Sequence, residues 1–157
     1  MMSTLLADFL VRKPEGYYCR YGDFFIDASN PVMHNVVSHA HGDHASSGHD
    51  YVYATQATSL FMTYRYKQNR KDSYQVKLFN SPFKIGAVEI TFLPAGHILG
   101  SAQILMEYRG YVTCTPAIIN YKLMIPVNRS KCSRPMSSLR KVPLQIPRLS
   151  IPIRRRR

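Results

Sequence analysis

No stretch of this 157-residue chain reaches the ~18 consecutive apolar residues that a membrane-spanning helix requires. The opening "MMSTLLADFLVRKPEG" has no basic segment ahead of its short apolar run, and Asp8 interrupts that run, so it does not read as a secretory signal. A cytoplasmic protein with no membrane partner is the expectation. Cysteine is scarce: Cys19, Cys114 and Cys132 form an odd, scattered set without C-x-x-C spacing, which excludes a disulfide framework and a zinc ribbon. Acidic residues stop at Glu107 and histidines at His97.

These absences are not spread evenly. Residues 1–112 hold ten Lys/Arg against nine Asp/Glu, whereas residues 113–157 hold eleven Lys/Arg and no acid, no glycine and no phenylalanine, with six of the ten prolines. A net charge of +12 would ordinarily point to a nucleic-acid partner. Here nearly all of it sits in the last 45 residues, which end in "RRRR". The chain therefore divides into a segment 1–112, long enough to build a core, and a basic, proline-rich tail 113–157 with no usable periodicity, expected to be unstructured.

Within 1–112 the pattern is α/β. "GYYCRYGDFFIDAS" reads as a hairpin turning at Gly22-Asp23. "NVVSH", "DYVYAT", "YQVKLF", "VEITFLP", "AQILMEYR" and "YV" read as strands, with "RGY" as the last hairpin turn and "PAGHILGS" as a loop. "TQATSLFMTYRY" reads as a helix capped by Thr55, with Leu60, Phe61 and Tyr64 on one face.

The richest stretch is "VVSHAHGDHASSGH". His39 and His41 leave the end of a strand two residues apart, so both can project to one side. Gly42 is expected to permit a sharp bend that returns Asp43 and His44 to the same space. Neutral imidazole and carboxylate are ligands for zinc, manganese or iron. Four such ligands exceed what one tetrahedral ion with an open position accepts, so two ions are the natural division. His39 and His41 would serve one and Asp43 and His44 the other, with His97 of the Gly-flanked "AGHILG" completing the first. His34 and His49 lie outside the H-x-H-x-D-H spacing and read as polar loop residues.

"HAHGDH" resembles the signature of the metallo-β-lactamase superfamily. Together, "YGDFFID", "SHAHGDH" and "PAGHILGSAQILMEYRG" resemble the bacterial DNA-ligase-associated exonucleases, a branch related to the RNA 3′-end processing (β-CASP) nucleases, over about residues 16–112. The resemblance implies the N-terminal half of an αββα sandwich that binds two zinc ions between its sheets. His39, His41 and His97 would hold one ion, and Asp43 and His44 would help hold the other. Asp27, closing "FFID", matches the aspartate that braces the histidine loop and orients a ligand imidazole. The implied reaction is two-metal phosphodiester hydrolysis of DNA or RNA, with Asp43 placed to ligate a metal and to take or orient the proton of the attacking water. A DNA ligase is the implied partner of the intact family.

The chain then departs from that pattern. Where the family carries Tyr-Thr-Gly-Asp, whose aspartate bridges both metals, this chain reads "YVTCTPAIINYKLM", and no late histidine follows. Allowed codons for residues 113–120, ACC TGT ACA CCG GCG ATT ATA AAC, read from their third base as Leu-Tyr-Thr-Gly-Asp-Tyr-Lys. A frameshift near residues 111–113 is thus expected. It would leave an incomplete domain with open sheet edges and a small core, inactive and holding at most one metal. Two other readings remain: a metallo-β-lactamase-fold hydrolase of thioesters, lactones or small phosphodiesters, and a non-catalytic protein that binds nucleic acid through its basic tail.

Overall fold

The computed structural model describes residues 9–67 and 73–115. The chain opens with antiparallel strands β1 (Leu10–Lys13), β2 (Gly16–Cys19) and β3 (Phe24–Ile26). In β3, Phe24 and Ile26 are buried and Phe25 between them is half-buried, the period-two pattern of a strand with one face on a core. The expected hairpin is present, with Tyr18 opposite Phe25 and Cys19 opposite Phe24. Asp23 closes its turn at φ 53°, a left-handed conformation that aspartate tolerates, and accepts the Tyr18 hydroxyl at 2.7 Å.

Strands β4 (His34–Val36), β5 (Tyr51–Ala54) and β6 (Tyr74–Val76) add in parallel, giving a six-stranded mixed sheet in the order β1-β2-β3-β4-β5-β6. The crossover from β5 to β6 carries helix α1 (Gln56–Arg65), with Thr55 at its N-cap accepting the Thr58 amide. Strands β7 (Phe83–Ile85), β8 (Val88–Pro94), β9 (Ala102–Tyr108) and β10 (Tyr111–Cys114) form a separate antiparallel meander. Arg109 and Gly110, at φ 47° and 79°, make the two-residue turn between β9 and β10, whose positive dihedrals match strand twist.

The two sheets pack face to face. Phe24, Ile26 and Val36 of the first meet Ile85, Val88, Ile90, Phe92, Ile104 and Met106 of the second in one continuous core. Each such side chain contributes about 1.5–3 kcal/mol by leaving water. A smaller core of Val37, Ala45, Val52, Ala54 and Met62 lies on the other face of the first sheet, beneath α1. The described residues thus stack as helix, mixed sheet and antiparallel sheet. This is an α/β arrangement of two facing sheets with little helix. Among them no helix is long and apolar enough to cross a membrane.

Several expectations change. β1 and β7 were not anticipated, and the run "YQVKLF" pairs only over Tyr74–Val76, with Phe79 making an isolated bridge to Phe92. The expected apolar face of α1 points outward: Leu60, Phe61 and Tyr64 are 62%, 43% and 82% exposed, while Thr58, Ser59 and Met62 are buried. The cause is at the helix N-terminus. The hydroxyls of Thr55 and Thr58 both donate to the Gly100 carbonyl, at 2.6 and 3.1 Å, and that attachment turns the Thr58–Met62 side inward. β10 runs to Cys114, and the Thr115 amide still bonds Ile104 O at 3.1 Å, past the compositional boundary at 112. Residues 116–157, nearly all of the basic tail, lie outside the described residues.

Phe92→Ala, at the centre of the inter-sheet core, should cost about 3–5 kcal/mol and erase the near-ultraviolet circular dichroism of the packed tyrosines. Leu99→Ala, at a site 72% exposed, should leave that signal unchanged.

Candidate metal centre

The site grows from the C-terminal end of β3. Asp27 follows that strand at φ 47°, its amide bonded to Val36 O at 3.1 Å, and this left-handed turn swings its carboxylate toward the segment after β4. The carboxylate is buried. Its Oδ1 accepts the Ser38 amide at 2.7 Å, while Oδ2 accepts the Ser38 hydroxyl at 2.7 Å and His44 Nδ1–H at 3.1 Å. Because the Ser38 hydroxyl spends its single proton on Asp27, its oxygen accepts from His39 Nδ1, 2.9 Å away. Asp27 therefore fixes two imidazoles with the proton on Nδ1, one directly and one through Ser38. Nε2 is then the side each ring turns to its neighbours, His39 toward His41 Nδ1 and His44 toward Asp43.

The histidine loop is a hydrogen-bonded turn. His44 and Ala45 amides both donate to His41 O, at 3.1 and 2.9 Å, which carries His44 back over Asp27. Gly42 is not the hinge expected of it: its φ lies outside the left-handed region, and an added Cβ would meet nothing within 4 Å. The local hydrogen bonds, not glycine's freedom, make the bend.

His97 comes from the other sheet, in the loop between β8 and β9. Ser101 Oγ accepts the amides of His97 and Ile98 at 3.1 and 3.2 Å. Gly100 is indispensable there. At φ +82°, a Cβ would sit 2.7 Å from Ala57 Cβ and 2.9 Å from the Thr58 amide nitrogen. The Ala102 amide donates to Ser38 O at 2.8 Å, so the two ligand loops are tied directly to each other.

The result gathers His39, His41 and His97, whose candidate ligand atoms lie within 4.8 Å of one another. His41 Nδ1 is 3.1 Å from His39 Nε2 and 3.2 Å from His97 Nε2. Ligands of a tetrahedral zinc with bonds of about 2.0–2.1 Å lie roughly 3.3 Å apart, so the two spacings made by His41 match such an ion. Burial of His39, aided by the neighbouring His44, pushes its pKa down to about 4, which keeps it neutral, the state that binds metal. The bond to Asp27 pushes His44 the other way. Asp43 stands apart from the triad: its side chain is 79% exposed and Oδ2 lies 3.4 Å from His44 Nε2. The structure thus brings Asp43 and His44 together, and His39, His41 and His97 together.

Of the two histidines set aside as polar loop residues, His34 lies in a strand, while His49 lies in a loop as expected but is buried there. His34 begins β4, stacked on Tyr51 at 5.0 Å between ring centroids. His49 is buried, hydrogen-bonded on both ring nitrogens. Neither joins the metal-binding group. Ser38 was missed as a functional residue, although its place directly before H-x-H was a usable signal.

No protein-family model matches the chain. It is 34% identical over 99 residues to a "Probable DNA ligase" from Opitutus terrae (strain DSM 11246 / JCM 15787 / PB90-1), a match covering 62% of this chain but spanning only 9% of that protein's length. Among solved structures it is similar to a motif mutant of a metallo-beta-lactamase from Cronobacter sakazakii. That likeness covers 68% of this chain and 55% of the other, at 16% identity and a TM-score of 0.45.

Two glycine substitutions separate the roles above. Gly42→Ala should be neutral or stabilise by about 0.4–1 kcal/mol in urea unfolding. Gly100→Ala should cost about 1–3 kcal/mol and displace the His97 loop.

Proposed function

We propose that this chain is the N-terminal part of a metal-dependent hydrolase of the metallo-β-lactamase superfamily whose intact form cleaves phosphodiester bonds in DNA or RNA. The observation that carries the reading is the convergence of His39, His41 and His97 from two sheets, with Asp27 setting the tautomers of His39 and His44. "HAHGDH" and "AGHILGSAQI" support the superfamily and the nuclease branch. A relative named as a probable DNA ligase favours a nucleic-acid substrate and a role beside a ligase activity.

His39, His41 and His97 would hold one ion, and His44 with Asp43 would contribute to a second. A bound zinc supplies Lewis acidity and an acidified water. The chain's own residues do the rest. Asp27 and Ser38 hold the ligand imidazoles aimed, burial keeps His39 neutral, and exposed Asp43 would accept or orient a proton in the open side of the site. A second complete ion site needs a carboxylate that no described residue supplies beside the triad. On this reading the chain by itself is inactive.

The missing carboxylate and the basic tail have one origin under this proposal: a single-base frameshift near residues 111–113. The coding DNA tests it. A one-base shift should restore a Tyr-Thr-Gly-Asp run within codons 113–120, at the end of β10, and a gene in which neither alternative frame does so removes the idea.

Metal titration tests the site itself. The purified chain should take up about one Co²⁺ with visible absorption of tetrahedral nitrogen ligation, should lose it in His97→Ala, and should not degrade single-stranded DNA. A frame-restored protein should degrade it. Two tightly held ions in the present chain, or hydrolysis of small esters but not DNA by the restored one, would contradict the reading.

A further inference from the structure

Asp27 governs the site, but its own aim depends on a left-handed backbone conformation (φ 47°) that non-glycine residues seldom adopt. What holds it there lies just behind it. The Ala28 peptide is gripped on both sides: its N–H donates to Asn35 Oδ1 at 3.0 Å, and its carbonyl accepts the Ser46 hydroxyl. Asn35 Nδ2 and Ser46 Oγ in turn both lie 3.0 Å from a single atom, His49 Nε2. The opposite ring nitrogen, Nδ1, accepts the Val32 amide at 3.2 Å. Asn35 and His49 are buried, and burial pushes the His49 pKa down, so the ring stays neutral; with Nδ1 accepting, Nε2 carries the one ring proton and donates to Ser46 Oγ, while the Asn35 amide, itself a donor, only packs against it.

These bonds join three segments at one imidazole: the connection leaving β3, the middle of β4, and the end of the histidine loop. With both nitrogens engaged, His49 has no lone pair to offer an ion. We propose that His49 is a positioning residue: through Ser46 it clamps the Ala28 peptide, whose N–H Asn35 holds from the other side, keeps Asp27 in its left-handed conformation, and so sets the Nδ1–H tautomers of His39 and His44. Its effect reaches both halves of the site at once, because Asp27 Oδ2 serves Ser38 and His44 together. The consequence for metal affinity rests on the metal-site reading above; the consequence for the tautomers does not.

The test uses the full chain and two variants, His49→Gln and Ser46→Ala, neither of which removes a candidate ligand. Imidazole ¹⁵N shifts of metal-free protein at pH 8 report each tautomer. Wild type should show Nδ1–H at both His39 and His44. Both variants should shift these rings toward the Nε2–H form that predominates for imidazole in water, with far-ultraviolet circular dichroism unchanged, and should weaken Co²⁺ binding about 10–100-fold, the range seen when supporting partners of ligands are lost. Variants that lose thermal stability yet keep both Nδ1–H tautomers would reduce His49 to a packing residue and overturn the proposal, as would a wild type lacking those tautomers. If His49→Gln fails to fold, Ser46→Ala decides alone. A wild type with the expected tautomers but no Co²⁺ absorption would sink the metal reading and leave the positioning role standing.

Discussion

A buried carboxylate organises this molecule. Removing a charge from water costs several kcal/mol unless donors replace the lost hydration, and an unpartnered Asp27 beneath the histidine loop would not be tolerated. Its donors are the Ser38 amide, the Ser38 hydroxyl and the His44 ring, all from the segment that follows β4. Satisfying the charge therefore folds the loop, and folding the loop presents the imidazoles. Local structure and chemistry are the same set of bonds.

The second constraint is the seam between the sheets. At one end the turns around Gly22 and Gly86 touch backbone to backbone, so closely that a Cβ on Gly86 would lie 3.0 Å from Gly22. At the other, Ala102 N–H bonds Ser38 O, and Gly100 O receives the hydroxyls at the start of α1. Between these two fastenings lies the apolar core. The His97 loop is thereby held against both the histidine loop and the helix, which is why an imidazole from a different sheet arrives within 3.2 Å of His41.

The histidine cluster, the Gly22-Asp23 hairpin, the long strands β8 and β9 and the Thr55 cap were legible because each depends on short-range pattern: spacing, alternation or a capping side chain. What was not legible depends on distant partners. The face α1 buries is chosen by the Gly100 carbonyl, more than forty positions away in the chain, and not by the helix's own apolar residues. β7 is three residues long and has meaning only beside β8. His49 looked like a surplus polar residue because Val32 and Asn35 become its neighbours only after β4 and β5 pair. Gly42 misled in the opposite sense. A glycine in a bend suggests a conformational need, yet the bend is closed by bonds to His41 O that any residue at 42 would permit.

The split origin of the triad sets an order of events during folding. β7 to β10 are joined by short hairpins and can pair quickly, whereas β3 to β6 require crossovers. His41 and His97 are 56 residues apart, and bringing them together closes a loop that neither sheet closes alone. The three imidazoles therefore converge only after the sheets have docked. Their encounter is a late event, and a spectroscopic signal from an ion bound among them would time the docking of the sheets rather than the formation of either one.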